Sequence, residues 1–173
     1  KKLNTGNGTF SLDGTRFYFS KCSEIGYHYL CKIMVAQYSN NRWTYIDSLS
    51  EIINEPGVNT TMPSIAEIDG DEVLFFSANR EDSKGGLDIY YCTIKNGNQY
   101  GKVRSIKSIN TIDSDITPWW DPIQKRLYFS SPWHNGFGGF DVHYSEFTTK
   151  WEEPINAGIP VNSPANDLYY FKY

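Results

Sequence analysis

Few groups in this 173-residue chain stand at a spacing that does chemistry. His28, His134 and His143 share no metal-ligand spacing. No Gly-x-Ser-x-Gly elbow, His-Glu-x-x-His helix, Walker loop, Rossmann fingerprint or sialidase-type Ser-x-Asp-x-Gly-x-x-Trp box occurs. The chain is therefore expected to be non-catalytic and to need neither metal nor cofactor. The remaining candidates are binding groups. Trp133-His134-Asn135 sets an aromatic plane beside a titratable ring, suited to stacking on a peptide or a sugar. The run containing Asn79, Arg80, Glu81, Asp82 and Lys84 mixes both charges, as an interface or a solvated surface does. Asp113 and Asp115 share one loop, but two acids fall short of the roughly six to eight oxygens that calcium takes. Acids from distant parts of the chain could still meet as a glycosidase pair.

Those groups need a scaffold, and the chain spells it three times. Phe17-Tyr18-Phe19-Ser20, Leu74-Phe75-Phe76-Ser77 and Leu127-Tyr128-Phe129-Ser130 are one word, spaced 74 − 17 = 57 and 127 − 74 = 53 residues apart. A turn signal precedes each copy, at Asp13-Gly14, Asp69-Gly70 and Asp121-Pro122. Downstream, Gly85-Gly86-Leu87-Asp88 and Gly138-Gly139-Phe140-Asp141 correspond, while the first copy reads Cys31-Lys32-Ile33-Met34 and lacks both glycines and acid. An aromatic follows at Trp43, Tyr100 and Trp151, and an asparagine about eleven residues later at Asn54, Asn110 and Asn162. Asp88 and Asp141 are expected to hold tight turns by accepting backbone N–H bonds, with Gly85, Gly86, Gly138 and Gly139 supplying positive φ angles.

Each repeat holds four short runs rich in Tyr, Phe, Trp, Ile and Val between turn residues, the pattern of strands in a meander. Four-stranded units at a period near 55 predict an all-β fold, a β-propeller of four-stranded antiparallel blades. Blade 1 spans about residues 7–59, blade 2 about 60–114 and blade 3 about 115–166. Residues 167–173 form the first strand of a further blade. Three blades and a strand do not readily close a ring of roughly four to eight, so a piece of a larger propeller is expected rather than paired copies or an improvised fourth unit. The second-to-third-strand loops, at 22–29, 79–86 and 132–139, share one face with the blade-to-blade connections. A binding site is expected there.

The words quoted resemble the WD40-like repeat of TolB-type propellers. Ser11 to Ser20 follows its Ser-Pro-Asp-Gly-x-x-Leu-Tyr-Phe-Ser motif, and Phe137 to Val142 follows its Gly-Gly-Phe-Asp-Ile-Tyr segment. The wording is most similar to propellers of Bacteroidetes OmpA-family envelope proteins, some of them in type IX secretion. The resemblance implies a non-catalytic platform for protein–protein contacts, periplasmic or outer-membrane-associated, with protein partners in the envelope and peptidoglycan reached through neighbouring domains. The alternative is a glycan-binding module or a glycoside hydrolase-type propeller. A net charge of −4 argues against a nucleic-acid partner, and no apolar run is long enough to span a membrane as a helix. Of three cysteines, Cys22 and Cys31 flank one loop and could pair across strands, which suits an oxidising compartment. Cys92 reads as a small buried apolar residue.

Overall fold

The computed structural model describes residues 3–172, all-β and without a helix. Three antiparallel sheets follow in chain order. The first is β1 (Leu3–Phe10), β2 (Arg16–Ile25), β3 (His28–Ser39) and β4 (Arg42–Ser48). The second is β5 (Thr60–Ile68), β6 (Asp71–Ala78) and β7 (Asp88–Lys95), with a fourth strand split into β8 (Gln99–Tyr100) and β9 (Arg104–Ser105). The third is β10 (Ile116–Asp121), β11 (Arg126–Ser131), β12 (Asp141–Glu146) and β13 (Ile155–Asn156). Each sheet is a meander, and the first strands β1, β5 and β10 are neighbours in space. The molecule is a partial β-propeller with those strands innermost.

Alternation along the second strand of each blade builds the stack, because successive side chains leave a strand on opposite faces. Leu74 and Phe76 join Tyr18, Ile33, Val35, Leu49 and Ile53 in the core between the first two sheets. Phe75, one residue away, joins Ile106, Ile109, Trp120, Leu127 and Phe129 in the core between the second and third. Burying each such side chain contributes about 1.5–3 kcal/mol. Phe19, Phe76 and Phe129 hold matching ladder positions opposite Met34, Tyr90 and His143. Turn chemistry closes the hairpins. Asp13 accepts from the Thr15 N–H at 2.9 Å and from the Ser11 hydroxyl at 2.6 Å, bonds that pull its carboxyl down to about 2. Asp69 and Gly70 both have positive φ, as a two-residue hairpin turn requires.

The recurring asparagines have a common task. The amide of Asn54 accepts from the Ile33 N–H at 2.9 Å and donates to the Ile33 carbonyl at 2.8 Å. Asn110 does the same to Ile89, at 2.8 and 2.9 Å, and Asn162 to Val142, at 2.7 and 2.8 Å. All three are buried. Each amide gives the N–H at the outer edge of its blade's third strand an acceptor, where an unpaired backbone group would be costly, and shares the carbonyl with the N–H of Leu49, Ile106 or Ala157.

Three expectations need correction. Residues 22–29 are not a loop: β2 and β3 continue as a ladder to Ile25 opposite His28, with Cys22 and Cys31 disulfide-bonded across it. Without the glycine pair, the first blade lengthens its hairpin instead of folding a loop back. Next, Gly85, Gly86, Gly138 and Gly139 are absent from the positive-φ residues. Their need is space, since a Cβ on Gly85 would overlap the Ile112 backbone and one on Gly138 the Ala165 carbonyl. Finally, residues 167–172 carry no strand assignment, Tyr173 lies outside the described residues, and the first blade's inner strand starts at Leu3 rather than near residue 7.

Candidate functional site

Most of the candidate residues turn their polar atoms to their own chain. Arg80 pairs with Glu55 at 3.0 Å and donates to the Ile52 carbonyl at 3.2 Å. Asn79 accepts from the Asn59 N–H, Asp82 accepts from the Tyr90 hydroxyl, and the Lys84 ammonium donates to the carbonyls of Lys107 and Asn110. Glu81 and Asp113 are exposed, and the Asp113 carbonyl accepts from the Gly86 N–H. Trp133 is exposed, while the His134 ring packs 5.1 Å from that of His143 and its Nε2 lies 3.2 Å from the Ile109 carbonyl. The Asn135 carbonyl accepts from the Asn156 amide at 3.0 Å. This face is thus a set of loops stitched across neighbouring blades, with Trp133 left facing solvent.

The buried acids are part of the stitching. Asp88 accepts from the Lys84 N–H at 2.9 Å, and Asp141 from the N–H groups of Phe137 and Gly138 at 2.9 and 3.0 Å. Asp115 accepts from both the N–H and the hydroxyl of Thr111, and Asp167 repeats this with Ser163. Burial raises the carboxyl pKa of Asp88 and of Asp115 above the usual 3.8, despite those bonds. The native state therefore holds more protons than the unfolded chain between the ordinary and raised values. This contribution to stability is complete at low pH and disappears as pH rises through the raised values. Urea midpoints of the native chain, measured against an Asp88→Asn, Asp115→Asn double variant, should fall progressively as pH rises above the ordinary carboxylate value of 3.8. A constant or opposite difference would exclude it.

Where the inner strands converge, a different feature appears that sequence reasoning passed over. The register slips in β1 between Gly6 and Gly8, in β5 between Thr61 and Ser64, and in β10 between Ile116 and Trp119. At these bulges Asn7, Met62 and Thr117 take positive φ, as does Tyr169 in the segment after blade 3. Their spacing is 62 − 7 = 55, 117 − 62 = 55 and 169 − 117 = 52, in step with the sequence repeat. The serine ending the recurring word lies beneath the bulges. Ser20 accepts from the Met62 N–H at 2.8 Å and the Thr61 hydroxyl at 3.0 Å, and Ser130 accepts from Thr117 at 3.0 Å. Prolines follow at Pro63 and Pro118, tolerated because an innermost strand is a sheet edge.

These four segments wall a hollow of about 360 Å³ at the axis. Its aromatic lining is Phe10, Trp119, Tyr169, Tyr170 and Phe171, and Asn7, Thr9, Ser64 and Thr117 supply polar side chains. Trp119 meets Tyr170 and Phe171 edge-on at 5.7 and 5.9 Å, and Tyr170 stacks on Tyr128 at 4.2 Å. Residues held in strained backbone wells tend to mark functional positions, and bulges re-aim side chains. The size and the mixture of aromatic wall with a few polar groups suit a small-molecule site. No acid lines it among the described residues. The sequence signal was present in the paired Pro63 and Pro118, at matching phases of two repeats.

No protein-family model and no curated protein matches the chain. Among solved structures it is similar to an α-L-arabinofuranosidase of Fusarium graminearum in complex with an iminosugar inhibitor. That likeness has a TM-score of 0.53 at 13% identity and covers 90% of this chain and 49% of the enzyme. It is also similar to an α-L-arabinofuranosidase of Lactobacillus brevis, with a TM-score of 0.46 at 17% identity, covering 91% of this chain and 53% of that one. The chain thus spans about half the length of these proteins. The likeness concerns fold, and it corrects one expectation. A non-catalytic chain was inferred from missing motifs, yet the fold matched is carried by an enzyme. In a propeller, catalytic acids can come from separate blades and leave no local signature.

Proposed function

We propose that this chain contributes glycan recognition to a propeller of the glycoside hydrolase type, with the axial hollow as the seat for a sugar residue. The aromatic wall of Phe10, Trp119, Tyr170 and Phe171 on a cavity where the inner strands converge carries this reading. A sugar ring presents a flat apolar face and an edge of hydroxyls. The rings can cover the first, and Asn7, Thr9 and Ser64 can bond the second. The resemblance in fold to an arabinofuranosidase supports the class of ligand and makes arabino-oligosaccharides the first probe.

Titration of the chain with arabinotriose by calorimetry should show saturable binding, weakened about tenfold or more by Trp119→Ala or Tyr170→Ala. Binding that is absent, or unchanged in both variants, would remove the axial seat.

A second reading concerns the loop-rich face. The Cys22–Cys31 disulfide favours an oxidising compartment, which supports a periplasmic or outer-membrane-associated location with protein partners in the envelope. Trp133 is the exposed anchor such a partner would cover. Pull-down from envelope extract should lose a partner in the Trp133→Ala variant, and unchanged recovery would remove this face.

A further inference from the structure

The loop at 132–139 closes over His143, whose ring is 1% exposed and has a backbone carbonyl near each nitrogen. Nδ1 lies 2.9 Å from the Asp141 carbonyl, which can only accept, so that nitrogen carries the proton. In the neutral ring Nε2 is then bare and accepts from the Asn156 amide at 3.4 Å, with the Asn135 carbonyl 3.3 Å away. The orientation of the Asn156 amide is fixed, because its oxygen takes the Gly158 N–H and the Asn162 amide, both at 2.8 Å. The same amide donates to the Asn135 carbonyl at 3.0 Å and ties the loop to β13. A neutral His143 thus completes a chain of bonds that runs through Asn156 to Asn162, the residue that holds the edge of β12.

A second proton, on Nε2, would face the hydrogens of the Asn156 amide and place a charge in a nearly sealed site. The His134 ring stands 5.1 Å away and gains positive charge in the same direction of pH. Asp141 on the same strand is the acid beside His143, and its carboxylate is engaged by the N–H groups of Phe137 and Gly138 in the loop. Asp115, in the connection before β10, acts on His134, while β11 and β13 present the uncharged Phe129 and Asn156. Burial accordingly lowers the pKa of His143 below its ordinary 6.5. The closed loop then binds fewer protons here than an opened one, so acid favours opening, by as much as about tenfold per pH unit below 6.5. We propose that His143 is an acid-sensitive latch: uncharged, it keeps the 132–139 loop shut against blade 3, and protonated, it releases that loop together with Trp133. The latch is independent of what the axial hollow binds.

The test is nuclear magnetic resonance of the whole chain from about pH 7.5 down to about pH 4.5, a range that brackets the ordinary histidine titration. The His143 Cε1–H signal should titrate below 6.5. Over the same interval the hydrogen-exchange protection of the Phe137 and Gly138 amides, corrected for the intrinsic effect of pH, should fall about tenfold or more. The Ile89 amide, held by Asn110 in blade 2, should keep its protection. In His143→Gln, which cannot take the second proton, and in His143→Tyr, which matches Tyr90 of blade 2, the loss at Phe137 and Gly138 should shrink to less than about twofold. A His143 signal that titrates at or above 6.5 would overturn the proposal. So would constant protection at Phe137 and Gly138 across that titration, or protection lost equally at Ile89. An undiminished loss in both variants would assign the opening to the Asp141 carboxyl and overturn it too. The first three outcomes are read on the native chain and stand whether or not either variant folds.

Discussion

Replacing Gly138 by alanine should destabilise the protein by about 2–3 kcal/mol, the cost of overpacking where nothing can yield. A methyl there would overlap the Ala165 carbonyl and the backbones of Pro164 and Ser163. These atoms belong to the connection leaving blade 3, which is tied down by Ser163 bonding to Asp167 and by the Gly139 N–H donating to the Ala165 carbonyl. Backbone so held cannot move aside as a side chain would. Gly138 also donates its N–H to Asp141, so displacement would open the turn that starts β12. Gly6→Ala is the control, because a Cβ there meets nothing within 4 Å and the residue has no positive φ. It should change stability by less than about 0.5 kcal/mol. Equal urea midpoints for the two variants would show that close approach is not what the glycine provides.

Asn110→Leu should cost about 1–3 kcal/mol. The substitution keeps approximate volume but leaves the N–H of Ile89 buried and unpaired, while the Ile89 carbonyl keeps the Ile106 N–H as donor. It also removes the bond from the Asn110 amide to Ser105, at 3.0 Å. The effect should be local in kind: hydrogen exchange at the Ile89 amide should lose its protection, while the Val142 amide, held by Asn162, keeps it. Asn79→Ala, which removes one bond to the exposed Asn59 N–H, should be far milder. If Ile89 exchanges no faster in Asn110→Leu, the asparagine is not the partner that holds this strand edge.

The landmarks that recur along the chain were legible because each reports a local requirement. Asp13-Gly14 and Asp69-Gly70 mark turns whose dihedrals few residues accept, and Phe-Ser words mark strands buried on alternate faces. The asparagines at 54, 110 and 162 were visible as a pattern, but their partners at 33, 89 and 142 were not. Spacing of about twenty residues says nothing about which backbone edge a side chain will meet. The glycine pairs were likewise visible and misread. Conformational freedom is a local property that sequence suggests, whereas the overlap with Ile112 and Ala165 exists only once another segment has packed there. The absence of a catalytic motif has the same reach, since it tests neighbours in the chain and not neighbours in space.

Strand content, blade period and the two-faced cores follow from short-range patterning, since period-two alternation and turn dihedrals operate within a few residues. The hollow at the axis and the one lined by Glu67 and Phe147 do not. Trp119 and Tyr170 stand 170 − 119 = 51 residues apart, and Glu67 and Phe147 stand 147 − 67 = 80 apart, yet each pair lines one cavity. Blades meeting at an angle bring them together, and that angle is a property of the packed sheets rather than of any stretch of chain.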